Sequence, residues 1–121
     1  SLLSMPYLGY CKKEDTLYQH TRSFILSHHN PYYYQGTCAS GIGSPHTPKN
    51  YIWHIALSMQ GLTGTKEEAK KMINLILETS NNEGLCHEGF NKDEPSEYTR
   101  FWFAWANSLF VELVYQTYFV K

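Results

Sequence analysis

Net charge is almost missing from this chain: ten Lys and Arg against eleven Asp and Glu leave −1. That balance withholds the basic footprint that nucleic acid or an anionic membrane surface selects, so neither is expected as a partner. Charged residues amount to 17% while apolar residues reach 42%, proportions that exclude intrinsic disorder. No apolar run approaches the length of a membrane span. The opening SLLSMPYLGYCKK lacks the basic start and apolar stretch of a secretory signal, and a cytoplasmic protein is expected. Cysteine is scarce and odd in number: Cys11, Cys38 and Cys86, with no CxxC. That argues against a disulfide framework or a redox motif, and for buried free thiols in a reducing compartment.

Aromatic side chains are abundant, at 16%: ten Tyr, six Phe and three Trp. The 121 residues fit one domain that can bury a core without a metal or disulfide staple. The chain begins at Ser1 rather than Met, as a processed product, a trimmed chain or a piece of a longer protein would.

Helical periodicity dominates. Leu17, Thr21, Phe24, Ile25 and His28 share one helix face, with Asp15 or Thr16 as the cap and Asn30-Pro31 as the stop. Residues 31–48, PYYYQGTCASGIGSPHTP, read as a long loop, and loops of this length are often functional. A helix is expected from about Lys49 to Gln60, with Ile52, Ile55, Ala56 and Met59 on one side. Thr65 and Glu68 form a capping box. The helix that follows runs to about Thr79, with Ala69, Met72, Ile73 and Ile76 inward and Lys66, Lys70, Lys71 and Asn74 outward. The run 81–84, Asn-Asn-Glu-Gly, reads as a helix-ending turn. After a second loop, LCHEGFNKDEPS, Pro95 and Ser96 are expected to start the last helix. Its segment 101–111, FWFAWANSLFV, is apolar on every side and calls for burial inside something larger. The fold class expected is all-α, with no sheet.

Few residues carry chemistry by pattern alone. His87-Glu88 lies in a loop beside glycine and Phe90, where a carboxylate can serve as a general base. A loop Glu that caps a helix or pairs with a base is the commoner case. The zinc-protease pattern needs a second His where Asn91 stands. The six histidines, His20, His28, His29, His46, His54 and His87, show no strong zinc spacing. No metal and no cofactor are expected. The glycines of GIGSPHTP follow no strand and lack a GK[ST] ending, so they read as a tight path presenting Ser44, His46 and Thr47 rather than as a phosphate loop. Trp53, Trp102 and Trp105 are core residues by default, although aromatic faces also stack on sugar rings. Asn107, inside an apolar helix, needs a partner, and a neighbouring loop is the expected one.

PYYYQG, GIGSPHTP, YIWHIALSMQGLT, HEGF and TRFWFAWANSLFVEL, in this order and spacing, closely resemble the C-terminal part of glycoside hydrolase family 125, the metal-independent exo-α-1,6-mannosidases. SLLSMPYLGY and RSFILS resemble it too, so the likeness covers essentially the whole chain. The resemblance implies that residues 1–121 are the last third of an (α/α)6-barrel catalytic domain that removes terminal α-1,6-linked mannose with inversion. It places Glu88 at the catalytic base, with Gly89 where the family's loop carries Ser. It places the catalytic acid in an upstream Asp outside this chain, so neither Asp15 nor Asp93 is assigned that role. Substrate contacts are expected from His46, Thr47, His54, His87 and Trp102 in one cleft with Glu88, with Trp53 or Trp105 as alternatives to Trp102. The partners implied are α-mannoside glycans and the missing barrel part, or a second copy. The chain alone is expected to be inactive. The alternatives are a non-catalytic helical sugar-binding module and an oligomerisation module.

Overall fold

The computed structural model describes residues 1–81 and 85–120. Asp15 opens the first helix, α1 (Thr16–Ile25), by accepting a hydrogen bond from the Tyr18 backbone N–H. This satisfies one of the donors that a helix start leaves free. The face expected to be buried is not the one that packs. Tyr18 is buried and its hydroxyl donates to the Leu3 carbonyl at 2.7 Å, whereas Leu17 and Phe24 are 76% and 55% exposed. Arg22 fixes this orientation. Its Nη2 donates to the Gln60 carbonyl at 2.9 Å and to Glu68 Oε1 at 2.8 Å.

The segment read as a long loop contains a hairpin. Strands β1 (Tyr33–Gln35) and β2 (Ser40–Ile42) pair antiparallel, with Tyr34 opposite Gly41. Gly43 follows because the chain passes Tyr51 closely: a Cβ there would lie 2.1 Å from the Tyr51 carbonyl oxygen. Strand β3 (Tyr51–Trp53) then joins β4 (Gly89–Asn91) and β5 (Tyr98–Thr99) in an antiparallel sheet of order β3-β4-β5. Ile52 faces Phe90 across it, and both are fully buried. The all-α expectation is therefore corrected: two small sheets stand between the helices. Their strands are two or three residues long, too short for the alternation that marks a strand in sequence.

Helix α2 (His54–Leu62) begins later than expected because residues 51–53 are committed to β3. Helix α3 (Lys66–Thr79) matches its expected span. Thr65 Oγ1 accepts from the Glu68 N–H at 3.1 Å, and Ala69, Met72, Ile73 and Ile76 are buried. The Glu68 carboxylate accepts from Arg22 and Gln60, so it ties α1, α2 and α3 together. Of the expected turn at 81–84, only Asn81 lies within the described residues. Helix α4 (Ala104–Tyr118) starts well after Pro95-Ser96, because β5 and a turn intervene; Ser96 Oγ donates to Glu94 Oε1 instead. Leu57, Ile76 and Leu113, one from each of α2, α3 and α4, meet in the core.

Among the described residues, nothing covers the outer side of α4. Trp105, Val111 and Phe119 are 67%, 66% and 73% exposed. Contiguous apolar patches beyond a few hundred Å² are rare on monomers. The isolated chain is therefore expected to self-associate, seen as a sedimentation coefficient that rises with concentration; a monomer at high concentration would contradict this. Among the described residues, no helix is long and apolar enough to cross a membrane.

Candidate active site

Glu88 stands at the end of a three-residue stretch whose backbone N–H groups are each held by a different element. The Cys86 N–H donates to Asn107 Oδ1 of α4 at 3.1 Å. The His87 N–H donates to His54 Nδ1 of α2 at 2.9 Å. The Glu88 N–H donates to the Thr99 carbonyl of β5 at 3.1 Å. Asn107 also donates to the carbonyl of Phe103, the cap of its own helix, at 2.9 Å; its bond with Cys86 gives the polar residue of the apolar helix its partner in the neighbouring loop.

The Glu88 carboxylate is 18% exposed, and its Oε2 lies 3.4 Å from Arg100 Nε. Its Oε1 accepts no protein hydrogen bond among the described residues. Arg100 follows β5 in the left-handed region, at φ 55°, a conformation that costs a non-glycine residue of order 1 kcal/mol or more and clusters at functional sites. Its guanidinium sits 5.8 Å from the centre of the Phe103 ring, within cation–π range. Arg100 was not singled out from sequence. The signal was present: it is the one Lys or Arg between Lys92 and Lys121.

The expected substrate contacts fall into two groups. Thr47 Oγ1 accepts from Trp53 Nε1 at 2.9 Å, and Trp53 pairs with Gly89 across β3 and β4. The loop 44–47 is thereby linked to the Glu88 strand, with His46 exposed beside Thr47. A Cβ on Gly89 would come within 3.2 Å of the Trp53 ring, so glycine here lets the indole lie flush against the strand. Trp53 and Trp105 also line an apolar cavity of about 570 Å³ with Ser44, Met59 and Leu109. Trp102 is 58% exposed, and among the described residues no aromatic stacking or hydrogen bond joins it to Glu88.

His54 and His87, expected at the substrate, are fully buried. His54 Nε2 lies 2.9 Å from Thr79 Oγ1, and its Nδ1 is taken by the His87 N–H. His87 Nδ1 lies 2.9 Å from the Phe101 carbonyl, and its ring stacks on Tyr98 at 4.0 Å. Burial, then the nearby His87 ring, pushes the His54 pKa down from 6.5 to about 3. The fold therefore favours neutral His54. That stabilisation is complete above pH 6.5 and is lost as pH falls from 6.5 towards 3, at about 1.4 kcal/mol per pH unit. Urea midpoints should fall more steeply between pH 6.5 and 4.5 than in a His54→Asn variant; parallel curves would refute the assignment. Burial also raises the Cys86 thiol to about 12, leaving it protonated and unsuited to nucleophilic attack. The buried-thiol expectation holds for Cys86 alone, since Cys38 is exposed and Cys11 half-buried. Among the described residues, no three His, Cys, Asp or Glu side chains converge as a metal site.

A family profile described as metal-independent alpha-mannosidase (GH125) matches residues 1–115. The chain belongs to glycoside hydrolase family 125. A GH125 relationship is visible in solved structures too. A Streptococcus pneumoniae structure, described as a metal-independent alpha mannosidase in a non-productive substrate complex with alpha-1,6-mannobiose, is 50% identical with a TM-score of 0.96. It takes in 99% of this chain and 28% of that one. The meiotically up-regulated gene 157 protein of Schizosaccharomyces pombe is 41% identical over 116 residues, 94% of this chain and 23% of that protein. This GH125 chain thus spans about a quarter of the length of these relatives.

Proposed function

We propose that this chain is the base-bearing part of an inverting α-mannosidase that removes terminal, non-reducing α-1,6-linked mannose. The observation that carries the reading is the Glu88 carboxylate. It is half-buried, flanked by one cation, and mounted on a stretch anchored at every amide. A base fixed this way can take a proton from water attacking the anomeric carbon, opposite the departing sugar. Membership of GH125 and the α-1,6-mannobiose seen with the pneumococcal relative support the substrate class.

By the family resemblance the acid is an Asp outside these residues, and both Asp of this chain are engaged elsewhere. Asp15 is spent on the α1 cap, and Asp93 accepts from Thr37 and Lys92. An inverting enzyme needs a second carboxyl roughly 6.5–9.5 Å from the base, so the 121-residue chain alone is expected to show no turnover. In the whole protein the helices described here form part of an (α/α)6 barrel. His46, Thr47 and Trp102 face its sugar site, while His54 and His87 support Glu88. The test is mannose release by the full-length protein from α-1,6-, α-1,3- and α-1,2-mannobiose, with the first anomer followed by NMR. β-Mannose released from the α-1,6 substrate is the expected result. Initial α-mannose, or no preference among linkages, would overturn the reading.

A further inference from the structure

We propose that His54 is a positioning residue for the base, because it is the middle clamp on the Cys86–Glu88 backbone and the one that ties that backbone to helix α3. The proposal rests on Glu88 acting as the base.

The hydrogen-bond directions along this chain are fixed. The His87 backbone N–H can only donate, so His54 Nδ1 must be its acceptor and carry no proton. The neutral ring then holds its proton on Nε2 and donates it to Thr79 Oγ1 at 2.9 Å. The Thr79 hydroxyl in turn donates to the Leu75 carbonyl at 2.8 Å. Thr79 is 1% exposed and His54 and His87 are fully buried, so water does not compete for these bonds. The His87 N–H thus fixes the His54 tautomer, Thr79 accepts the proton that this leaves on Nε2, and among the described residues the Nδ1 lone pair alone holds the His87 amide. The opposite tautomer would set two N–H groups against each other.

The two neighbouring amides have their own holders, Asn107 and Thr99. Losing the middle one leaves the loop in place but lets the Glu88 carboxylate drift. A displacement on the order of 1 Å at a catalytic group costs about 100-fold in rate. The change falls on turnover, because the sugar contacts are made by other residues.

The amide side chains separate this role from simple packing. Asn places an oxygen near the Nδ1 position and preserves the acceptor for His87. Gln reaches towards the Nε2 position, preserving the Thr79 contact and forfeiting the acceptor. Full-length His54→Asn, His54→Gln and Glu88→Gln are compared with wild type on α-1,6-mannobiose, with thermal melting alongside. His54→Gln should lose about 100-fold in kcat with KM unchanged, and His54→Asn should stay within a few-fold. Thr79→Val leaves the buried Nε2–H without its acceptor and frees the ring to turn from the His87 amide, so kcat should fall with KM unchanged. Thr79→Ser keeps the acceptor and should stay within a few-fold of wild type, which decides the matter where the Gln variant does not fold. Equal losses in the Asn and Gln variants, losses that follow melting temperature, or a Thr79→Val variant with normal kcat would overturn the positioning role. Normal turnover in Glu88→Gln would overturn the underlying base assignment instead.

Discussion

Glu88→Gln in the full-length protein is expected to lose roughly 10²–10⁴-fold in turnover, the usual contribution of acid–base catalysis, while mannose still binds. Gln keeps the shape of the side chain and can still hydrogen-bond a hydroxyl or water, but it has no basic oxygen. The backbone around it should not move, since the three amide anchors at Cys86, His87 and Glu88 involve no Glu88 side-chain atom. The ion pair with Arg100 is lost, but at 3.4 Å with the arginine 64% exposed it contributes little to stability. Melting temperature should therefore stay close to wild type. Turnover on α-1,6-mannobiose, mannose affinity by calorimetry and thermal melting decide the outcome together. Near-normal turnover would remove Glu88 from the mechanism.

Helix α3 shows what a sequence reveals when its signals are local. The Thr65 cap, the lysines outward and the apolar residues three and four apart all agree, and the helix lies where they put it. Helix α1 shows a local signal reading the wrong side. Its cap at Asp15 is right, but Tyr18 and Arg22 turn inward, because the phenol finds a buried carbonyl there and the guanidinium a partly buried one. The apolar Leu17 and Phe24 are left outside. The strands were illegible for a different reason. β3 pairs with β4 across nearly forty residues of sequence, and nothing in YIW or GFN taken alone separates a three-residue strand from the end of a helix or a loop. The late start of α4 follows from the same cause, since Pro95 and Ser96 lie in a turn that leads into β5.

The site was legible in outline and not in its supports. Glu88 stood out through the HEGF loop and its resemblance to a family, and Asn107 through the cost of burying an amide in an apolar helix. Arg100 stood out only as the lone cation between Lys92 and Lys121, and Thr99 and Thr79 carried no such signal. Thr99 holds the Glu88 amide through its backbone carbonyl, which side-chain identity does not report, and the Gly89 amide through its hydroxyl, a contact that exists only once β4 and β5 pair. Thr79 sits at the last turn of an ordinary amphipathic helix, and its role appears only when α2 brings His54 against it. His54 and His87 were visible as polar groups in apolar surroundings, a pattern shared by a ligand site and a buried structural network. Full burial and pairing with Thr79 and a backbone N–H place His54 in the second class.

Phe90→Ala should be the most damaging single truncation near the site. Phe90 lies in the central strand of the three-stranded sheet, opposite Ile52 on one side and Tyr98 on the other, and is fully buried. Its ring centre is 4.7 Å from that of His54, so it also packs against the imidazole that holds the His87 amide. Truncating a buried Phe to Ala costs about 3–5 kcal/mol, from lost transfer energy and from the cavity left behind. That is a large part of the ~5–15 kcal/mol by which a typical protein is stable. Phe90→Leu leaves a much smaller cavity and should cost clearly less than the alanine change. Lys71→Ala, on the solvent face of α3, should stay within about 0.5 kcal/mol. Urea unfolding of the full-length variants gives the order. A Phe90→Ala midpoint no lower than that of Lys71→Ala would show that the sheet does not depend on this ring. If the order holds, Phe90→Leu becomes informative about chemistry. It should leave the fold largely intact while loosening the packing against His54, so its kcat should fall further than its stability alone accounts for.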